Sequence, residues 1–133
     1  MINNNFEKKL KSKEFVFTAE TSPPDSTVRS EITDRVLCLK DLADAINVTD
    51  GASAKSHLSS LVVSSIIKDI EIEPILQLTT RDRNRIAIQS DLLGAWTLNI
   101  QNILCIYGDQ VETGDQPETK EVRDLDTLGV INT

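Results

Sequence analysis

The sequence predicts an α/β fold of about four βα units with consecutive parallel strands. Four short segments are apolar and rich in β-branched residues, as strands are, and each ends in polar residues. The polar residues at those ends are 30, 29 and 30 positions apart: Glu20, Asp50, Thr79 and Asp109. This spacing is the length of one strand plus one crossover helix, so it indicates a repeated βα unit.

The predicted strands contain few strong helix formers. They are Phe15–Glu20, Asp44–Thr49, Glu73–Thr79 and Ile103–Tyr107. Each gap between two predicted strands is long enough for a helix that returns the chain to the end of the sheet where the previous strand began. We therefore expect parallel pairing with right-handed crossovers.

Helical patterns fill the gaps. The first helix is predicted from an apolar stripe with helical spacing between Val28 and Ala43. Ser53 is the expected N-cap of the second helix and Asp82 that of the third. A short fourth helix is expected to begin near Asp124. The apolar positions of the third helix include Ile86, Leu93 and Trp96.

Two architectures satisfy this pattern: an open doubly wound sheet and a partial (β/α)8 TIM barrel. A complete barrel needs ~250 residues, and this chain has 133. We expect a single domain over residues 1–133, with residues 1–13 as a polar N-terminal extension. Half a barrel would leave strand edges open, which favours pairing with a second half.

Composition excludes several classes of function. Lys and Arg number 14 against 21 Asp and Glu, a formal charge of −7, so a general nucleic-acid binder is not expected. No apolar run has the length of a membrane span, and the N-terminus lacks the apolar region of a signal peptide. Two cysteines and one histidine are too few for a disulfide scaffold or a usual zinc site. We expect a reduced, cytoplasmic protein.

Chemistry in parallel α/β folds takes place at the carboxyl ends of the strands, so the polar residues there are the candidates. Glu20 follows an apolar strand, and a carboxyl group in apolar surroundings can serve as a general acid. Asp109 follows a glycine, where the backbone can approach a ligand closely. A turn or helix-cap role is the simpler alternative for both. The segment 81–85 (RDRNR) could bind a phosphate, but a solvated helix start with local ion pairs is favoured.

Several linked motifs resemble the methylenetetrahydrofolate reductase family. They occur in the family's order and at its spacing over roughly residues 15–127. The matching segments are Asn47–Ala52, Glu73–Thr79, Arg81–Arg85, Ala87–Ala95, Cys105–Asp109, Gly114–Pro117 and Asp124–Asp126.

The family is a flavin-dependent (β/α)8 barrel that reduces 5,10-methylenetetrahydrofolate to 5-methyltetrahydrofolate with NADH or NADPH. The resemblance implies that Glu20, in its Glu-x-x-Pro-Pro setting, is the general acid that opens the imidazolidine ring to an iminium ion. Hydride then comes from the reduced flavin. Asp109 resembles the family carboxylate near flavin and folate. Its charge would disfavour an anionic reduced flavin and favour the cationic folate intermediate.

The resemblance also implies a cofactor, FAD or alternatively FMN. Gln77 stands where some family members have His, and Tyr107 where some have Arg. The residues expected to bind the cofactor are Thr49, Asp50, Ala52, Gln77, Tyr107, Gly108 and Asp109.

Family catalytic domains carry four more βα units than this sequence. One hypothesis is therefore that the chain is the amino-terminal half of the reductase, a fragment or half-barrel that acts as a homo-oligomer or with a partner half-barrel. Its expected ligands are the folate and NAD(P)H, in one-carbon and methionine metabolism, without nucleic acid or membrane. The alternative is a non-catalytic remnant or binding module that keeps only the fold signature.

Overall fold

A computed structural model describes residues 5–133, so residues 1–4 of the predicted polar extension lie outside the described residues. The described chain contains one four-stranded sheet. Its strands are β1 (Thr18–Thr21), β2 (Ala45–Val48), β3 (Pro74–Thr79) and β4 (Asn102–Ile106).

The strands lie side by side in chain order, β1-β2-β3-β4, and every neighbouring pair is parallel. In the register, Glu20 lies opposite Asn47, and Gln77 lies opposite Leu104. A doubly wound sheet changes direction at a switch point and does not keep consecutive order throughout. The order therefore confirms the predicted fold class, an α/β fold consistent with a partial (β/α)8 barrel.

The described chain also contains five helices and two short 3₁₀ turns. The turns are Ala52–Ala54 and Val111–Thr113. The helices are α1 (Asn5–Ser12), α2 (Arg29–Leu37), α3 (Ser60–Asp69), α4 (Arg85–Thr97) and α5 (Thr127–Ile131).

Two of the predicted helix caps were wrong. Helix α3 begins after Ser59, while Ser53 lies in a 3₁₀ turn with a left-handed φ of 57°. Helix α4 begins after Asn84, whose side-chain oxygen accepts the N–H of Ala87 at 3.1 Å. Asp82 does not cap α4, because its carboxylate is bound by the side chain of Arg81. Capping residues were present at both starts, but the cap pattern alone did not distinguish neighbouring candidates.

Two predicted elements are shorter in the structure. Helix α2 ends at Leu37, and the end of the predicted stripe lies in a turn that contains Asp41 with a φ of 66°. Strand β1 begins at Thr18, because the N–H of Phe17 donates to the carboxylate of Asp44 and not to a strand carbonyl. Phe15 lies before the strand with 87% of its surface exposed.

The main core lies between the sheet and the helices α2 and α3. Strand β3 is buried along its whole length, whereas β1 and β4 are partly exposed because each has a strand on one side only. The buried members of this core are Ile32, Val36, Ile46, Val48, Val63, Ile66, Ile67 and Ile72. Burial of these aliphatic side chains is the main force that holds the crossover helices on the sheet.

Helix α1 packs near the amino ends of the central strands, within the segment expected to be a polar extension. Its buried residue Phe6 contacts Ala45 and Ile75. One apolar anchor in a polar helix leaves little periodic signal, which is why the sequence did not predict this helix. The carboxyl ends of the strands lie at the opposite end of the sheet.

Helix α4 turns Ile88 and Ala95 into the core. The three apolar positions named from the sequence lie on its exposed side: Ile86, Leu93 and Trp96. Among residues 5–133, none of the helices combines the length and apolarity needed to cross a membrane.

Candidate functional site

An open depression of about 380 Å³ lies at the carboxyl ends of the strands. It brings together all of the sequence-predicted site residues except Tyr107. Its lining is Glu20, Thr49, Asp50, Ala52, Gln77, Ile106, Gly108 and Asp109. Because β1 to β4 are parallel and consecutive, residues from four separate strand ends meet there.

Glu20, at the end of β1, is exposed. Its Oε2 accepts a hydrogen bond from Nε2 of Gln77, two strands away, at 3.4 Å. Gln77 itself is buried, so its amide is a fixed donor at the base of the depression. The described residues do not surround Glu20 with the apolar environment that the sequence analysis anticipated.

Asp50, at the end of β2, is buried and both of its carboxylate oxygens are engaged. Oδ2 accepts from Arg83 Nη1 at 2.6 Å and from the backbone N–H of Thr79 at 2.9 Å. Oδ1 accepts from Arg83 Nη2 at 3.2 Å and from the Ser60 hydroxyl at 3.1 Å. This carboxylate therefore joins β2 to β3, to the start of α3 and to the segment before α4.

Arg83 is the counter-ion of this buried group and also pairs with Asp91 at 2.8 Å. Burial by itself lowers the pKa of Arg83, but the hydrogen bonds and charges of Asp50 and Asp91 outweigh it and raise the pKa above its ordinary value. The guanidinium therefore stays charged.

Asp109, after β4, is exposed and borders the depression. Its Oδ2 accepts the backbone N–H of Ser53 at 2.8 Å, which links the loop after β4 to the loop after β2. Gly108 precedes it with a φ of 88°, and a Cβ there would collide with the Thr79 hydroxyl. Glycine is required at this position, both for the backbone angle and for the close approach of the loop after β4 to the end of β3.

Thr49 and Ala52 lie on the β2 side of the depression. The buried Thr49 hydroxyl donates to the hydroxyl of Ser22 at 3.1 Å. The carbonyl of Ala52, in the 3₁₀ turn, lies 3.3 Å from Nε2 of His57. These contacts fix the β2 loop and leave a small side chain, that of Ala52, at the edge of the depression.

Tyr107 does not line the depression. The guanidinium of Arg123 stacks on its ring, 3.7 Å from the centroid. Arg123 also donates to the carbonyl of Tyr107 at 2.8 Å and to that of Gly108 at 3.5 Å. Arg123 is paired with Glu121, which lowers the pKa of Glu121 and raises that of Arg123.

The arginines of the segment 81–85 make structural contacts that the sequence pattern did not predict. The favoured interpretation, a solvated helix start with local ion pairs, holds only in part for Arg85, which is exposed but pairs at 2.8 Å with Asp124, 39 positions along the chain. It was wrong for Arg81, of which only 3% is exposed. Ion pairs were expected, but no local pattern could show that Arg83 pairs with Asp50, 33 residues away.

The family model described as methylenetetrahydrofolate reductase matches residues 5–132. Comparison with curated protein sequences finds no significant match. The family match covers nearly the whole chain, including every strand and the whole depression. The chain therefore belongs to the methylenetetrahydrofolate reductase family.

Proposed function

We propose that this chain provides the amino-terminal half of the active site of a flavin-dependent reductase. The reaction is reduction of 5,10-methylenetetrahydrofolate to 5-methyltetrahydrofolate with NADH or NADPH. Family membership indicates an oxidoreductase of folate-related chemistry. The observation that carries the finer proposal is that Glu20 and Asp109, from opposite edges of the sheet, border the same depression.

The depression fits the redox-active ring of a flavin better than its phosphates. It offers hydrogen-bonding groups from Thr49 and Gln77, and the small residues Ala52 and Gly108 leave room in it for a flat ring. Among the described residues, its lining includes the carboxylates of Glu20 and Asp109, the ion-paired carboxylate of Asp50, and no cation. Phosphate groups need cationic partners, so these lining residues suit an uncharged ring and a cationic substrate, and the phosphates of FAD require groups outside this depression.

Flavin, when bound there, supplies the hydride that reduces the folate. Glu20 would act on the substrate: because Gln77 holds Oε2, Oε1 is the oxygen available to carry and donate a proton. That proton allows the imidazolidine ring to open to an iminium ion. The negative charge of Asp109 would stabilise this cation.

The open edges of the sheet support a further element of the proposal. β1 and β4 each have one neighbour in the described chain, whereas a closed barrel has no edge strands. We propose that a partner half-barrel or a second copy of the chain completes the site. Sedimentation velocity over a range of concentrations measures this association, and a monomer at every concentration would contradict the second-copy form.

The function is tested with Glu20→Gln in the assembly that carries the completed barrel. The substitution keeps shape and hydrogen bonding but removes the acid, so folate reduction should fall by ~10²–10⁴-fold. Flavin binding and flavin reduction by NAD(P)H need no proton from Glu20 and should be unchanged. Stopped-flow absorbance follows the two half-reactions separately.

The matched control is Glu31→Gln on helix α2, an exposed glutamate that is not among the residues lining the depression. It should leave both half-reactions unchanged. A folate half-reaction that proceeds at its original rate in Glu20→Gln would show that Glu20 is not the acid.

A further inference from the structure

Arg81 is a buried cation between the end of β2 and the end of β4. Its Nη1 donates to the carbonyl of Gly51 at 3.2 Å and to the carbonyl of Asp109 at 3.3 Å. Its Nη2 donates to the same Gly51 carbonyl at 3.2 Å. One guanidinium therefore joins the backbones of two loops that are far apart in sequence.

The orientation of this guanidinium is fixed from the other side. Arg81 Nε lies 2.7 Å from Oδ1 of Asp82, and Nη2 lies 2.8 Å from Oδ2. This bidentate pair restricts rotation of the planar group. The hydrogen bond with Asp82 also raises the pKa of Arg81, so it remains charged.

The two loops that Arg81 joins include the groups around the proposed catalytic carboxylate. The carboxylate of Asp109 accepts the N–H of Ser53, in a turn where Ser53 and Ala54 have left-handed φ values of 57° and 54°. Non-glycine residues adopt this conformation only at an energetic cost, so the turn needs external contacts to persist. A Cβ on Gly51 would collide with Nη2 of Arg81, so the contact also depends on glycine there.

We propose that Arg81 is a positioning residue for Asp109. Arg81 holds the carbonyls of Gly51 and Asp109 together. It thereby keeps the Ser53 N–H within hydrogen-bonding distance of the Asp109 carboxylate at the rim of the depression. The effect of Arg81 on catalysis rests on the proposed function, whereas its effect on the geometry of the two loops does not. Lysine cannot replace it, because a single ammonium lacks the planar fork that reaches two carbonyls and a carboxylate together.

The test is hydrogen exchange of the Ser53 amide in Arg81→Lys. The N–H of Ser53 donates to the Asp109 carboxylate. Loss of this hydrogen bond should speed exchange of the Ser53 amide by about tenfold, the equivalent of one hydrogen bond. The matched control is Arg85→Lys, which makes the same change in an exposed ion pair to Asp124 and should leave Ser53 unchanged. Unchanged exchange of Ser53 in Arg81→Lys overturns the proposal.

Core amides separate positioning from general stability. If Arg81→Lys speeds exchange equally at Ser53 and at Leu76, in the buried strand β3, then Arg81 only stabilises the fold and the proposal is wrong. A double variant gives a second criterion. Asp109→Ala removes the acceptor, so adding Arg81→Lys to it should change Ser53 exchange by less than about twofold. An additive effect overturns the proposal.

Flavin titration distinguishes this proposal from the proposed function. Bound flavin with a spectrum shifted by Arg81→Lys, but not by Arg85→Lys, supports both. A wild-type assembly that binds no flavin contradicts the proposed function, and the exchange result still decides the role of Arg81.

Discussion

Asp50 and Asp109 are both carboxylates at the ends of parallel strands, each beside a glycine, yet their surroundings differ. Asp50 is buried and receives four hydrogen bonds, two of them from Arg83. Asp109 is exposed, and its carboxylate accepts the N–H of Ser53. A strand-end carboxylate thus supports the fold where a cation binds it directly, as Arg83 binds Asp50. The cation beside Asp109, Arg81, binds the Asp109 carbonyl and leaves the carboxylate available to a ligand.

The difference follows from the positions of the strands. Strand β2 is internal, so the end of β2 is enclosed by β3 and by the start of α3, which supply the Thr79 N–H and the Ser60 hydroxyl. Strand β4 is the last of the sheet and has no neighbour beyond it in the described chain. In the described residues Asp109 is exposed.

The largest expected effect comes from removing each charge in turn. Asp50→Asn leaves the half-buried guanidinium of Arg83 without its main counter-ion, and breaking such a pair costs about 3–5 kcal/mol of the free energy of unfolding. Asp109→Asn, the same chemical change, should cost less than about 1 kcal/mol because the amide oxygen can still accept from Ser53. Urea unfolding monitored by circular dichroism measures both.

These two variants should reverse their order in function. Asp109→Asn should raise the flavin potential and weaken folate reduction in the completed barrel, because the negative charge near the ring is removed. Equal losses of stability in the two variants would show that the contrast between the strand ends is wrong.

Substitution of the glycines beside the two carboxylates should lower the free energy of unfolding by an intermediate amount. Gly108→Ala places a Cβ against the hydroxyl of buried Thr79 at a φ of 88°, so we expect a loss of about 2–3 kcal/mol. Gly51→Ala has a φ of 57°, which alanine tolerates better, and its Cβ meets only the end of the Arg81 side chain. Its loss should be about 1–2 kcal/mol, measured by thermal unfolding. A larger loss for Gly51→Ala would contradict this ranking.

The smallest expected effect on stability comes from a third carboxylate, that of Asp124, which is exposed but ion-paired. Hydrogen bonds from the Arg85 side chain and backbone lower the pKa of Asp124 from 3.8 to about 2. A carboxyl group whose pKa is lowered in the folded state stabilises the folded protein at pH values above its ordinary pKa of 3.8. This contribution is lost as the pH falls from 3.8 towards about 2. Because the pair is exposed, the change is small.

Comparison of Arg85→Gln with the wild type isolates this contribution. The difference in unfolding midpoint between the two proteins should be present near neutral pH and shrink across that acidic interval. A difference that stays constant through the interval would show that the Asp124 pair does not contribute to stability.

The strand ends explain how much of the site could be predicted. Polar residues at equal spacing identified Glu20 and Asp109 as candidates, the family resemblance added Gln77, and the structure groups all three around one depression. The aromatic ring of Tyr107 was expected there too, but it stacks with Arg123, sixteen positions along the chain. Stacking and ion pairing between distant residues leave no local periodic signal, so the roles of Arg81 and Arg123 required the folded chain.

The sequence by itself determined the repeated βα unit, because the 30-residue spacing of strand ends and the alternation of apolar patterns are local properties of the chain. Parallel pairing follows from the length of the crossovers, whereas the consecutive order of the strands is seen only in the folded sheet. Only the tertiary structure decided which carboxylate is buried and which is available. Asp50 and Asp109 have similar local sequences, but burial and pairing depend on neighbours such as Arg83, which is 33 residues away from Asp50 and reaches it only after the strands have paired.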